Sequence, residues 1–226
     1  MLIYIRNDMM LFVVCIVPPL CGFTFKFAVP AMEQVLTNYF QASEILVPYY
    51  ELFDLLLSVI PSTMFCFAVA MVILEEVDEH IAGYFAITPL GKRGYLIARL
   101  GIPTIISFVT TFTLLAVFRL TTMNMGILLF TALSGSIQGL IIALLVVSFS
   151  TNKLEGMAVT KLSSLMIVGI CIPFFIKSNI TYILSPLPTY WMARAVQCDS
   201  LTSVLLTLLI SFLWFYALMR KFDRKI

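Results

Sequence analysis

The residues best able to do chemistry cluster in one stretch. Glu75-Glu76-Val77-Asp78-Glu79-His80 brings four carboxylates together with the only histidine in the chain. Such a set could activate water if a base and an orienting partner stood within hydrogen-bond reach. The position four after Glu76 is His80, and there is no second histidine. The groups required by glutamate-based intramembrane proteolysis, or by a metal site needing two imidazoles, are therefore missing. No Gly-x-x-x-x-Gly-Lys-Ser/Thr string occurs, and Gly91-Lys92-Arg93-Gly94 is too short to cradle a phosphate. The five cysteines, Cys15, Cys21, Cys66, Cys171 and Cys198, are scattered, mostly inside apolar runs. A thiol there behaves as a small hydrophobe, not as part of a disulfide framework. These absences predict a chain that makes and breaks no covalent bond and binds no cofactor or metal.

The same stretch has a physical reading without catalysis. Val77, Ile81, Tyr84 and Phe85 fall on one helical face. Asp78 and Glu79 are read as its first turn, where the helix dipole favours anions. Thr88-Pro89-Leu90-Gly91 stops it, and Lys92, Arg93 and Arg99 follow. The expected object is a short amphipathic helix along a membrane surface. It serves either as an ordinary interfacial loop or as a docking element for a partner.

The elements that position these residues follow from composition. Of 226 residues, 61% are hydrophobic and only 12% charged, with a net charge of +2. A soluble domain carries about a quarter charged residues, so the bilayer is the expected solvent. No basic face exists for nucleic acid. A spanning helix needs about 20 largely apolar residues. Six stretches qualify: 9–29, 55–74, 100–118, 126–149, 157–176 and 201–219. Pro18 and Pro19 are expected to kink the first, Pro61 lies in the second, and Pro173 lies near the end of the fifth. The first is read as a retained span, because no small-x-small cleavage site follows it. An even number of spans puts both termini on one side. That side holds Arg6, Lys92, Arg93, Arg99, Lys153, Lys161, Arg220, Lys221, Arg224 and Lys225, against Lys26, Arg119, Lys177 and Arg194 on the other. The excess places both termini in the cytoplasm. No repeat or linker divides the chain, so a single membrane domain over 1–226 is expected.

Two outer segments are more than loops. In 31–54, Met32, Val35, Leu36, Tyr39 and Phe40 keep the spacing of an amphipathic helix, expected on the outer leaflet or capping the bundle. Segment 177–200 carries Tyr182, Tyr190 and Trp191 among Pro186 and Pro188, which predicts one or two short re-entrant helices at headgroup level. Polar groups within the spans are few. Ser134, Ser136 and Gln138 lie in the fourth span beside Gly135-x-x-x-Gly139, a close-approach motif. They either serve helix packing through an interhelical hydrogen bond or line a substrate path. Glu51 and Asp54 stand at the outer entrance of the second span. They reach the headgroups, attract a cationic substrate, or pair with Lys26. Lys26 is otherwise expected to snorkel outward. Phe65, Phe67, Phe108 and Phe112 suit either lipid contact or a drug-like path.

Asp78, Glu79, Thr88, Pro89, Leu90, Tyr95 and Arg99 together resemble the link between spans two and three of ABC-2 type permeases. His80 stands where a glycine is common. Asn152-Lys153-Leu154-Glu155-Gly156-Met157-Ala158 is similar to the start of the fifth span in drug-export permeases of that family. Leu187-Pro188-Thr189-Tyr190-Trp191 is similar to the re-entrant region before the sixth. The likeness covers the whole six-span layout and is closest to small-drug exporters, fluoroquinolone-export permeases among them.

The resemblance implies an all-α polytopic fold. It implies that 77–88 is a coupling helix seated on an ATPase through Asp78, Glu79, His80, Ile81, Gly83, Tyr84, Phe85, Thr88 and Pro89. It implies two separate ATPase subunits carrying ATP and Mg, and a second permease, copy or paralogue. It places the assembly in a bacterial cytoplasmic membrane. The substrate class it implies is a small amphipathic drug or a peptide, moved outward. The competing expectation is an immunity or sensor subunit that holds a partner without moving cargo.

Overall fold

The structure, a computed structural model, describes residues 9–41, 43–79, 91–176, 184–198 and 200–225. The regular elements among the described residues are all helical: α1 (Met9–Phe40), a 3-10 turn (Val47–Tyr49), α2 (Tyr50–Asp78), α3 (Gly91–Phe118), α4 (Met125–Phe149), α5 (Lys153–Ser163), α6 (Leu165–Val168), α7 (Ile172–Phe175), α8 (Pro188–Cys198) and α9 (Leu201–Lys225). Among the described residues, five stretches are long and apolar enough to cross a bilayer: Val47–Asp78, Ile97–Phe118, Met125–Phe149, Lys153–Phe175 and Leu201–Phe222. They correspond to the second through sixth spans read from the sequence. The expected first span lies within α1. The chain is a multi-pass, all-helical membrane protein.

α2 and α4 form the centre of the bundle. α2 packs on α4, α3, α1 and α5, and α4 also meets α3 and α9. The seam between α2 and α4 depends on two glycines. A Cβ on Gly139 would stand 2.6 Å from the Ser62 carbonyl oxygen, and one on Gly135 would meet the carbonyl of Ser58. The expected Gly-x-x-x-Gly contact is therefore made, and its partner is the α2 backbone. Pro61 sits inside α2 without breaking it. The hydroxyls of Ser58, Ser62 and Thr63 on either side of it donate to the carbonyls of Leu55, Ser58 and Ile60 in the same helix. Ser62 also shares a 2.9 Å hydrogen bond with Thr111 of α3. At the far end of the seam, Ser148 donates to the Leu218 carbonyl of α9 at 3.3 Å.

Three sequence expectations are corrected. First, 31–54 holds no separate interfacial helix. α1 continues through Pro18, Pro19 and Pro30 to Phe40. Its 32 residues rise about 48 Å, against a hydrocarbon core of about 30 Å. The last ten residues are thus a direct extension of the spanning rod. Glu33 fixes them, accepting the N–H groups of Ile45 at 2.8 Å and Leu46 at 2.6 Å. Met32, Val35, Tyr39 and Phe40 point away from the chain. Gln41, at φ 51°, ends the helix in the left-handed cap conformation.

Second, Asp78 and Glu79 do not open a helix. Asp78 is the last residue of α2 and Glu79 is its C-cap. The sequence pattern ran continuously from a spanning helix into an amphipathic one, so periodicity could not mark the boundary. Third, the fifth span, read as one apolar stretch over 157–176, is not one continuous helix. It is divided at Ser164 and again at 169–171. There Gly169, Ile170 and Cys171 donate to carbonyls three residues back, at 3.0–3.2 Å. That is the tighter 3-10 winding. Thr189 of α8 enters the gap and donates to the Met166 carbonyl at 2.6 Å. Its hydroxyl lies where a Cβ of Gly169 would be.

Candidate functional site

At one end of α2 the acids of the sequence motif meet two basic partners. Lys153, the first residue of α5, places Nζ 3.1 Å from Glu75 Oε2. Its backbone N–H donates to Asp78 Oδ2 at 3.1 Å. Arg99 of α3 pairs with Glu76. The start of α5 is formed locally. The Asn152 side chain accepts the Glu155 N–H at 2.8 Å, and the Glu155 carboxylate accepts the Thr151 N–H and hydroxyl, both at 2.7 Å. This reciprocal arrangement is a capping box. It explains why Asn152-Lys153-Leu154-Glu155 starts a helix at a fixed point. Of the residues expected to dock on an ATPase, Asp78 and Glu79 stand at this corner. His80, Ile81, Gly83, Tyr84, Phe85, Thr88 and Pro89 lie outside the described residues.

At the opposite end Asp54 is 1% exposed. Its carboxylate accepts the N–H groups of Leu120 at 2.8 Å and Thr121 at 2.9 Å, and the Thr121 hydroxyl at 2.6 Å. The partner of Asp54 is thus the turn between α3 and α4, not Lys26. Lys26 donates to the Val117 carbonyl and lies 5.9 Å from the centre of the Phe118 ring. Phe118 in turn fills the space beside Gly22. Three helix ends are therefore bound together here. Glu51 is half-buried in the first turn of α2.

Between the two ends lie the polar residues of α4. Ser136 is buried and donates to the Leu133 carbonyl at 2.8 Å. Gln138 is 2% exposed, and neither its Oε1 nor its Nε2 has a hydrogen-bond partner among the described residues. Ser134, one turn earlier on the same face, has an unpartnered buried hydroxyl as well. An unpaired amide in an apolar interior costs free energy.

One turn beyond Gln138, Ile142 lines a cavity of about 150 Å³ between α2 and the broken span. Its other walls are Thr63, Met64 and Phe67 of α2, with Thr160, Ser164 and Ile167. Its surface is almost wholly apolar, because the hydroxyls of Thr63, Thr160 and Ser164 each donate to a carbonyl of their own helix. Of the phenylalanines considered from the sequence, Phe67 reaches it. Phe108 and Phe112 instead pack beside Leu57 and Leu115. Sequence reasoning missed Thr63, Thr160 and Ser164. The available signal was the hydroxyls on facing helices, which only the pairing of α2 with the fifth span brings together. A second, apolar cleft of about 410 Å³ lies between the start of α4, the end of α8 and the start of α9. Among the described residues no group of three His, Cys, Asp or Glu could hold a metal.

Comparison with known proteins agrees with this arrangement. Residues 1–220 match the family described as fluoroquinolones export permease protein Rv2686c-like. The chain is 28% identical over 158 residues to the fluoroquinolones export permease protein Rv2686c of Mycobacterium tuberculosis strain ATCC 25618 / H37Rv. It is equally similar to the fluoroquinolones export permease protein MT2760 of strain CDC 1551 / Oshkosh. The matched region is 66% of this chain and 61% of each relative. No solved structure matches. Because that family's model covers residues 1–220, nearly the whole chain, the chain belongs to the fluoroquinolones export permease protein Rv2686c-like family.

Proposed function

We propose that this chain is the transmembrane subunit of an ATP-driven exporter for small amphipathic molecules, with fluoroquinolone-like compounds the first to test. The observation that carries the reading is the cavity of about 150 Å³ at the break in the fifth span, inside a chain of a permease family. Irregular backbone at membrane depth is tolerated where it is buried or lines a wet cavity. Phe67 and Met64 supply an adaptable apolar surface there, while the hydroxyls of Thr63, Thr160 and Ser164 each donate to a carbonyl of their own helix and leave only acceptor lone pairs for a guest. A cavity of this size is too small for a drug-sized ligand, whose pockets run to about 300 Å³ or more. In our reading it is one wall of a path completed by a second permease, copy or paralogue. Ser134, Ser136 and Gln138 belong to the deeper wall. Glu51 and Asp54 belong to the outer end, where Asp54 acts as a latch.

Energy comes from two separate ATPase subunits holding ATP and Mg. They seat on the connection after α2 through Asp78, Glu79, His80, Ile81, Gly83, Tyr84, Phe85, Thr88 and Pro89. This chain itself catalyses nothing. Residues 1–226 act as one membrane domain, with both termini in the cytoplasm of a bacterial cell.

The test is purification of the chain from its host in mild detergent, with native mass measurement and reconstitution into vesicles. The expected result is a complex with two ATPase subunits that moves a fluorescent quinolone when ATP is added. Recovery without an ATPase, or with one and no ATP-dependent transport, overturns the reading in favour of a sensor or immunity subunit.

A further inference from the structure

The last turn of α2 carries its acids at the wrong end of a helix. Glu75, Glu76 and Asp78 stand there, and Glu79 caps it. The C-terminal end of a helix bears about half a negative charge and disfavours carboxylates. These acids are offset from outside the helix: Arg99 pairs with Glu76, and one residue serves both Glu75 and Asp78. Lys153 gives its ammonium to Glu75 and its backbone N–H to Asp78, both at 3.1 Å. As the first residue of α5, it also presents Asp78 with that helix's positive end. Just below, Gly156 lies against Leu74 and Met71 with no room for a Cβ. An exposed ion pair of this kind adds little to stability. What it fixes is geometry, because two different groups of one residue grip two acids a turn apart.

The same α5 is short. It ends at Ser163, and Thr160, in its last turn, is part of the cavity wall. We propose that Lys153 is a positioning residue of the transport cycle. It fastens α5 to the acidic end of α2, so that a displacement of that end carries the Thr160 wall with it while the break at Ser164 absorbs the movement. The proposal rests on the permease reading and deepens it, by naming the joint that couples the cytoplasmic connection to the cavity.

The experiment uses the whole complex with its co-purifying ATPase, reconstituted in vesicles. Transport per ATP hydrolysed is measured for wild type, Lys153→Glu, Glu75→Lys, the double swap and Lys153→Arg. Each reversal is expected to lower transport per ATP by about fivefold or more, the low end for coupled sites. Thermal midpoint and assembly should be unchanged. The double swap and Lys153→Arg are expected to restore coupling. Should a reversal prevent assembly, Lys153→Gln keeps the backbone donor to Asp78, removes only the ion pair, and is expected to show the same loss. Reversals that leave transport per ATP at the wild-type value, or a swap that restores nothing, overturn the proposal alone. A wild-type complex that hydrolyses ATP without transport overturns the permease reading, and this inference with it.

Discussion

The carboxylate of Asp54, in the second turn of α2, accepts both the hydroxyl of Thr121 at 2.6 Å and its backbone N–H at 2.9 Å. With the Leu120 N–H at 2.8 Å, a single buried side chain satisfies three donors of the turn between α3 and α4. That turn has no regular structure of its own to absorb its backbone groups, so Asp54 supplies what a helix would.

Replacing Asp54 therefore tests a latch. Asp54→Ala leaves two backbone donors unpaired and is expected to cost about 2–4 kcal/mol, because bonds to charged groups are the stronger kind. Thr121→Val removes only the hydroxyl bond and is expected to cost about 1 kcal/mol. Thermal unfolding in detergent measures both. Equal losses for the two variants would contradict the assignment of three donors to one carboxylate.

The α2–α4 seam predicts a sharp size limit. A Cβ at Gly139 would stand 2.6 Å from the Ser62 oxygen, which belongs to backbone and cannot swing aside. Gly139→Ala is expected to destabilise by about 1–3 kcal/mol, as overpacking does. Gly126, around which nothing lies within 4 Å, provides the control. Gly126→Ala should leave the thermal midpoint unchanged.

Gln138 separates folding from function. Its amide has no partner among the described residues, so Gln138→Leu removes unsatisfied groups at similar volume. Stability is expected to stay level or rise by about 1–3 kcal/mol. Transport of a hydrogen-bonding substrate is expected to fall. A clear loss of stability would mean that the amide already serves the folded protein.

The junction of Gly169 with Thr189 invites a double-mutant cycle. Gly169→Ala places a methyl against the Thr189 hydroxyl and should be strongly unfavourable. In the Thr189→Ala background the same change should be much milder. An interaction energy on the order of 1 kcal/mol or more between the sites, from thermal unfolding, is expected for residues in contact. Simple additivity would place Thr189 away from the break.

Composition alone required a membrane protein, because few charges and long apolar runs leave no way to face water. Span positions followed from the same apolar lengths. Four of the six begin within a few residues of helices longer than the spans themselves, since a helix does not stop where the hydrocarbon does. The Gly135 and Gly139 spacing announced a close contact, because it is local. What was not legible depended on partners distant in the chain. The fifth span reads as one apolar stretch, yet its helix is interrupted where Thr189, contributed by another element, also bonds the Met166 carbonyl. Asp54 appeared free to meet Lys26 or a substrate until the turn at Leu120 and Thr121 closed on it. The acids at Glu75 and Asp78 could be read as the start of one helix or the end of another. Periodicity runs unbroken across that boundary, and only Lys153, brought in by the packing of α5 on α2, fixes their role. Patterns with a short period are written in the sequence, whereas pairings across the bundle depend on which helices become neighbours, which tertiary packing decides.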